Sequence, residues 1–388
     1  MNICLVHEEY PAETNFGGIA TYQKNLALGL KKLGHNIQVV CRSYKCNQNY
    51  TEDGIMVYRI YQEETGDKLC DYQEYRKKIY QKIKEIENEI DIIESPEWGA
   101  ETLYYLRDNN RKVPVVIKLH TPLLIWMENN KCDLGSQITE EMLNWEKEVI
   151  EKADSVISCT RLLKEQVIEK MEIYRNDIIV VPNPADLINF YDDCNGDRKY
   201  ILYCGSLELR KGVDILAKAV SIVQNEMSDL EWVFVGKDTD RNDRGISMVQ
   251  YIYDIIPEKF HNNIHFMGQI PNCELREIYS KAIILVVPSS FDNFPYVVLE
   301  GMACNVPIIG SGSSGIVEMI QNGESGIICD CKNENVIAEE IIKLLKDKKL
   351  RDKLAKNAME RIKEKYSDFI VAKKNSSIYK KTIDSFLN

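Results

Sequence analysis

Asp292 and Glu300 stand with seven residues between them, in the run Phe291-Asp292-Asn293-Phe294-Pro295-Tyr296-Val297-Val298-Leu299-Glu300-Gly301. The apolar run Ile283 to Val287 ahead of them reads as a strand, so the first carboxylate falls on the loop beyond its carboxyl end and the second at the start of a helix. Open parallel sheets bind ligands beyond the carboxyl ends of their strands. Ionised Asp and Glu only accept hydrogen bonds and sugar hydroxyls donate them, so carboxylates one short loop and one turn apart suit separate parts of one polyhydroxylated ligand, a sugar or a ribose. Alone, the same residues also describe an exposed acidic loop and a helix start whose Glu complements the macrodipole.

Other stretches carry related chemistry. Gly17-Gly18 directly precedes a helical pattern, where amides without side chains either approach an anion at the helix's positive end or simply make a turn. In Gly205-Ser206-Leu207-Glu208-Leu209-Arg210-Lys211-Gly212 a basic pair opens a helix, the end that disfavours cations, and this oddness favours an anionic ligand. Ser311-Gly312-Ser313-Ser314-Gly315 follows the strand-like run Val306 to Ile309 and precedes another helix. His120 closes the run Val113 to Leu119 ahead of Thr121-Pro122, as either a hydrogen-bonded structural residue or a group facing a ligand. Asp238-Thr239-Asp240 matches the D-x-D of metal-dependent nucleotide sites, but its polar loop, Lys237 to Gly245, reads as solvated.

Short strands alternating with helices must position these residues. Ile3–Val6, Ile37–Val40, 91–93, Val115–Leu119 and Ser155–Ser158 are the strands of a first half, and the alternation argues for parallel α/β units. The first helix places Ile19, Tyr22, Leu26, Leu30 and Leu33 on one face and stops at Gly34-His35. Two prolines break the pattern at Val181-Pro182-Asn183-Pro184, and a polar stretch with Asp192, Asp193, Asn195, Gly196 and Asp197 follows, so 184–198 reads as a linker. A second series then begins, with strands at Tyr200–Cys204, Glu231–Val235, 264–266, Ile283–Val287, Val306–Ile309 and 326–329. From Asn335 the chain is almost wholly helical.

At 388 residues and 44% apolar composition the chain is long enough for two packed domains. A net charge of −11 argues against a general nucleic-acid binder. Twelve cysteines without C-x-x-C pairs, some in apolar runs (Cys4, Cys159, Cys204), suit buried thiols in a reducing compartment. The amino terminus reads as a strand rather than a leader, and no apolar run reaches about 18 residues, so a cytoplasmic location is expected. The Tyr- and Lys-rich stretch Tyr72 to Lys84 is either a solvated helix face, the favoured reading, or a peripheral membrane contact at the inner face.

The Asp292/Glu300 pair resembles the E-x7-E signature of retaining glycosyltransferases of the GT-B superfamily, family 4, with Asp292 in place of the first Glu. The loop at Gly205 resembles the family's G-R-L-x-x-x-K-G, with Ser206 in place of Arg, so only Lys211 transfers and Arg210 is left to supply a second charge. The loop at Gly315 resembles G-G-x-x-E, Gly323-Glu324-Ser325-Gly326 resembles a structural turn, and His120 resembles a strand-end His facing the donor sugar. The resemblance implies two Rossmann-like doubly wound parallel-sheet domains facing a cleft: 1–183, an acceptor domain completed by a returning helix near 368–388, and 199–367, a donor domain. It implies transfer of a hexose or N-acetylhexosamine from a nucleotide diphosphate sugar, UDP preferred over GDP on frequency alone, to a saccharide or lipid-linked acceptor in cell-surface polysaccharide or glycolipid assembly. His120, Asp292 and Lys211 would serve the reaction, and Gly17, Gly18, Gly205, Ser206, Arg210, Lys211, Asn293, Phe294, Gly315 and Glu300 the donor. No metal or other cofactor is expected. A sugar-nucleotide epimerase of the same fold and a non-catalytic nucleotide-sugar-binding subunit are the alternatives.

Overall fold

The structure, a computed structural model, describes every residue except 12, 15–16, 131–135 and 191–197, and residue 188 in its backbone only. The chain divides into two compact units, Met1–Pro184 with Asp368–Asn388, and Ala185–Ser367. Leu187–Phe190 is a short helix of the second unit, and residues 191–197 of the expected linker lie outside the described residues.

The first unit carries β1 (Asn2–Val6), β2 (Asn36–Ser43), β3 (Gln48–Glu52), β4 (Ile55–Tyr61), β5 (Ile92–Pro96), β6 (Val115–Leu119), β7 (Ser155–Ser158) and β8 (Ile179–Val180). They form one sheet in the order β3-β4-β2-β1-β5-β6-β7-β8, and only β3 runs antiparallel to its partner. Strands covered on both faces read as unbroken apolar runs, and Ile3–Val6 and Val115–Ile117 are buried accordingly. Between β1 and β2, helix Gly18–Lys32 buries Tyr22, Leu26 and Leu30, and Gly34 ends the turn with φ 83°. Helix Asp368–Leu387 packs on it so closely that a Cβ on Gly29 would lie 2.5 Å from the Asp368 carbonyl oxygen.

The second unit carries β9 (Tyr200–Cys204), β10 (Glu231–Val235), β11 (Ile264–Gly268), β12 (Ala282–Val287), β13 (Ile308–Ser311) and β14 (Ile327–Cys329), ordered β11-β10-β9-β12-β13-β14. Helix Val213–Glu226 buries Val213, Leu216, Val220 and Val223 against Trp232 and Phe234. In each sheet the chain builds outward on one side of the first strand and then returns to build on the other. The reversals lie between β1 and β5 and between β9 and β12, the places where such sheets bind ligands. No helix among the described residues is long and apolar enough to cross a membrane.

Candidate active site

The loops after β9 and β12 meet at the second unit's switch point. Gly212 adopts φ 70°, and a Cβ there would lie 2.2 Å from the Pro288 carbonyl oxygen, so only a glycine brings the loops this close. Ser290 donates to the Arg210 carbonyl through its amide and its hydroxyl, both at 2.9 Å. Across this seam Lys211 and Asp292 form a direct ion pair, their side chains 20% and 17% exposed. The loop after β13 closes the far side, with Ser313 Oγ donating to the Ser290 carbonyl at 3.2 Å and the Gly315 amide to the Asp292 carbonyl at 2.7 Å. Asn293 and Phe294 are buried between, the Phe294 ring edge-on to Tyr366 at 5.7 Å.

Glu300 lies one turn into helix Tyr296–Ala303, buried, its Oε2 accepting from the Tyr279 hydroxyl at 2.7 Å. Burial pushes its carboxyl up to about 7, the tyrosine bond opposing and the Asp186 charge adding to the rise. Gly205, at φ 147°, donates its amide to the Val235 carbonyl at 2.9 Å, and the Ser206 carbonyl accepts from the Tyr203 hydroxyl at 2.8 Å. These two residues shape the turn that carries Lys211.

In the first unit, Gly17 caps helix Gly18–Lys32 without a side-chain bond, and its amide faces the Glu9 carboxylate. The buried Arg59 fixes the loop leading there, donating to the Tyr10 carbonyl at 2.9 Å, the Pro11 carbonyl at 3.1 Å and Thr14 Oγ1 at 3.1 Å. His120 sits at the end of β6, its amide held at 2.9 Å by both oxygens of the buried Glu97. Its ring stands edge-on to Tyr22 at 4.7 Å. Burial, with the Lys118 and His7 charges, lowers its pKa well below the ordinary imidazole value, so the ring stays neutral.

Two family models match consecutive stretches, Glycosyltransferase Family 4 over residues 16–188 and Glycosyl transferases group 1 over 189–361. The chain belongs to the family 4 glycosyltransferases of GT-B fold. It is 26% identical over 98% of both chains to an uncharacterized glycosyltransferase of Methanocaldococcus jannaschii. Sucrose-phosphate synthase from Thermosynechococcus elongatus shares its fold at a TM-score of 0.80 and 21% identity, over 99% of each chain. An Anabaena protein crystallised with UDP-glucose matches at 0.72 and 14%, again over 99% of each.

Three of the residues expected to meet the donor have partners within the protein in this glycosyltransferase. The Gly315 amide is given to the Asp292 carbonyl, and its glycine is required by close approach, a Cβ lying 1.8 Å from the Asn293 carbonyl oxygen. The Arg210 guanidinium is drawn to Glu208 and donates to the Phe291 carbonyl at 2.9 Å. Gly17 stands beside the Glu9 carboxylate, a Cβ there lying 3.5 Å from Glu9 Oε2. Asp238 of the D-x-D accepts from Ser247 Oγ at 2.7 Å and the Val249 amide at 3.2 Å, at the start of helix Met248–Ile255, while Asp240 is exposed. Sequence reading missed Tyr279, Arg59 and Glu97, which hold Glu300, the loop before Gly17 and His120; no motif marks them, and each is found only through its partner.

Proposed function

We propose that this glycosyltransferase retains configuration and takes a hexose or N-acetylhexosamine from a UDP-sugar. The observation that carries the reading is the second unit's switch point, where Lys211, Asp292 and Glu300 come from two stitched loops and one helix start. The donor's pyrophosphate competes with Asp292 for Lys211, and the ammonium then neutralises the leaving group as the glycosidic bond breaks. Asp292, released, accepts from sugar hydroxyls, and Glu300 grips the ribose through the oxygen that Tyr279 leaves open. UDP is preferred because the Anabaena neighbour holds UDP-glucose.

His120, neutral at the end of β6, positions the donor sugar by hydrogen bonding rather than by attack. No protein nucleophile is required, since an acceptor hydroxyl approaching the face that the leaving group vacates retains configuration. No metal is required either, the ammonium supplying the charge. The acceptor is a saccharide or lipid-linked saccharide of cell-surface polysaccharide or glycolipid assembly.

Incubating the full chain with UDP-hexoses and a panel of saccharide acceptors, and following UDP release and the product's anomeric proton, tests the reading. UDP release with a product of the donor's configuration supports it. Inversion refutes the retaining assignment, and an altered UDP-sugar without free UDP would make the protein an epimerase.

A further inference from the structure

The first unit's switch point has its own polar cluster. The loop after β1 carries His7 and Glu8, β2 ends at Arg42 and Ser43, and the loop after β5 carries Glu101. Glu101 receives the Glu8 amide on Oε1 at 2.7 Å, while its Oε2 lies 3.5 Å from His7 Nδ1 without a well-formed hydrogen bond. Both side chains are buried, at 3% and 1% exposure. Tyr75, on helix Lys68–Ile86, is 2% exposed and its hydroxyl has no hydrogen bond. The Arg42 guanidinium lies 5.2 Å from its ring and 5.0 Å from that of Tyr44, reaching Glu8 at 3.5 Å and Glu64 at 3.3 Å, with Nε unbonded. Ala100, beside Glu101, holds a left-handed φ of 47°.

Buried polar atoms of native proteins nearly always have hydrogen-bond partners. Here Glu101 Oε2, His7 Nδ1, Tyr75 Oη and Arg42 Nε lack them together, at the place where a doubly wound sheet takes its ligand. Such a mixture of acceptors and donors matches hydroxyls, which do both. The charges narrow the ligand further. Glu8, Glu9, Glu64 and Glu101 face Arg42, Arg76 and His7, and each of the three is drawn to a partner: Arg42 to Glu8 and Glu64, Arg76 to the Tyr72 carbonyl at 2.7 Å, the Gly99 carbonyl and the Trp145 ring at 4.5 Å, and His7 to Glu101.

We propose that this cluster is the acceptor subsite and that it takes an uncharged polyhydroxylated saccharide, rejecting phosphorylated ones. The inference rests on the glycosyltransferase reading above. Saccharide hydroxyls donate to Glu8 and Glu101 and accept from Tyr75 and Arg42, whereas a phosphate ester sets its own negative charge against the cluster's carboxylates.

Saturation-transfer NMR on the full chain with UDP present, using glucose, galactose and N-acetylglucosamine each beside its 6-phosphate, tests it. The account expects a neutral sugar to bind at least tenfold tighter than its phosphate. Glu101→Gln should weaken that sugar at least tenfold with UDP affinity unchanged, and Glu8→Lys should shift the preference toward the phosphate. Tyr75→Phe guards against misfolding, since it removes an unbonded hydroxyl: it should weaken the sugar severalfold at an undiminished melting temperature. Equal or tighter binding of the phosphates, unchanged sugar binding in Glu101→Gln, or no sugar bound at all would overturn the inference. A wild-type chain that binds no UDP would instead sink the glycosyltransferase reading beneath it.

Discussion

At the second unit's switch point a lysine faces a carboxylate across two stitched loops, whereas at the first unit's switch point carboxylates outnumber cations and several buried polar atoms have no hydrogen bond. Both sites stand at the reversal of a doubly wound sheet, so topology explains where they are but not how they differ. The loop residues set that difference. Lys211 suits a pyrophosphate, and the Glu8–Glu101 cluster suits hydroxyls without charge. A glycosyltransferase needs these two chemistries, one for a charged leaving group and one for a neutral nucleophile.

The largest break in the comparison should come from Lys211→Ala, which removes the cation proposed to neutralise the leaving group. We expect a fall of about a hundred- to a thousandfold in kcat for sugar transfer, with melting temperature little changed; a loss under fivefold in steady-state assays would remove Lys211 from the reaction.

Next in size is the pH response of Glu300. Its carboxyl titrates near 7 in the folded chain against an ordinary 4.5. Its contribution to stability is therefore full below about pH 4.5 and is lost as pH rises through 7. Relative to Glu300→Gln, the nucleotide-free wild type should lose up to about 3 kcal/mol between pH 4.5 and 8, read from denaturant midpoints. Parallel curves for the two proteins would mean that burial does not hold the proton.

Gly315→Ala separates close approach from ligand binding in that loop. If close approach rather than a ligand explains the glycine, the methyl meets the Asn293 carbonyl and destabilises the nucleotide-free chain by about 1–3 kcal/mol. An unchanged unfolding midpoint with weakened donor binding would support the amide role instead. The smallest effect belongs to Asp240→Ala, expected to leave turnover within twofold with or without chelator, because the D-x-D loop serves a helix start.

Much of this was legible in the sequence, and the failures have physical causes. Strands such as Ile3–Val6 and Val115–Leu119 announce themselves because burial on both faces demands unbroken apolar residues. The β3–β4 hairpin was overlooked, since edge residues such as Gln48, Asn49 and Thr51 are polar; its signal was Asp53-Gly54, both at positive φ, a two-residue hairpin turn. In the candidate site, the elements carrying Asp292, Glu300 and Lys211 could be placed from strand ends and helix starts, and their side chains do meet or lie beside one another's loops. The directions of Arg210 and of the Gly17 and Gly315 amides could not be placed, because each is decided by a partner distant in sequence or on a neighbouring loop. Tyr279 is the same problem reversed, a residue without motif whose hydroxyl bonds a carboxylate from another helix.

The most direct test of the central claim, that the second unit's switch point grips a nucleotide through its carboxylate pair and lysine, is calorimetric titration of the full chain with UDP, GDP and ADP, repeated on Glu300→Ala. The account predicts that UDP binds the wild type most tightly and that Glu300→Ala weakens it at least tenfold, a loss of about 1.4 kcal/mol or more. Equal UDP affinity in the two proteins, or no binding of any nucleotide, would contradict it.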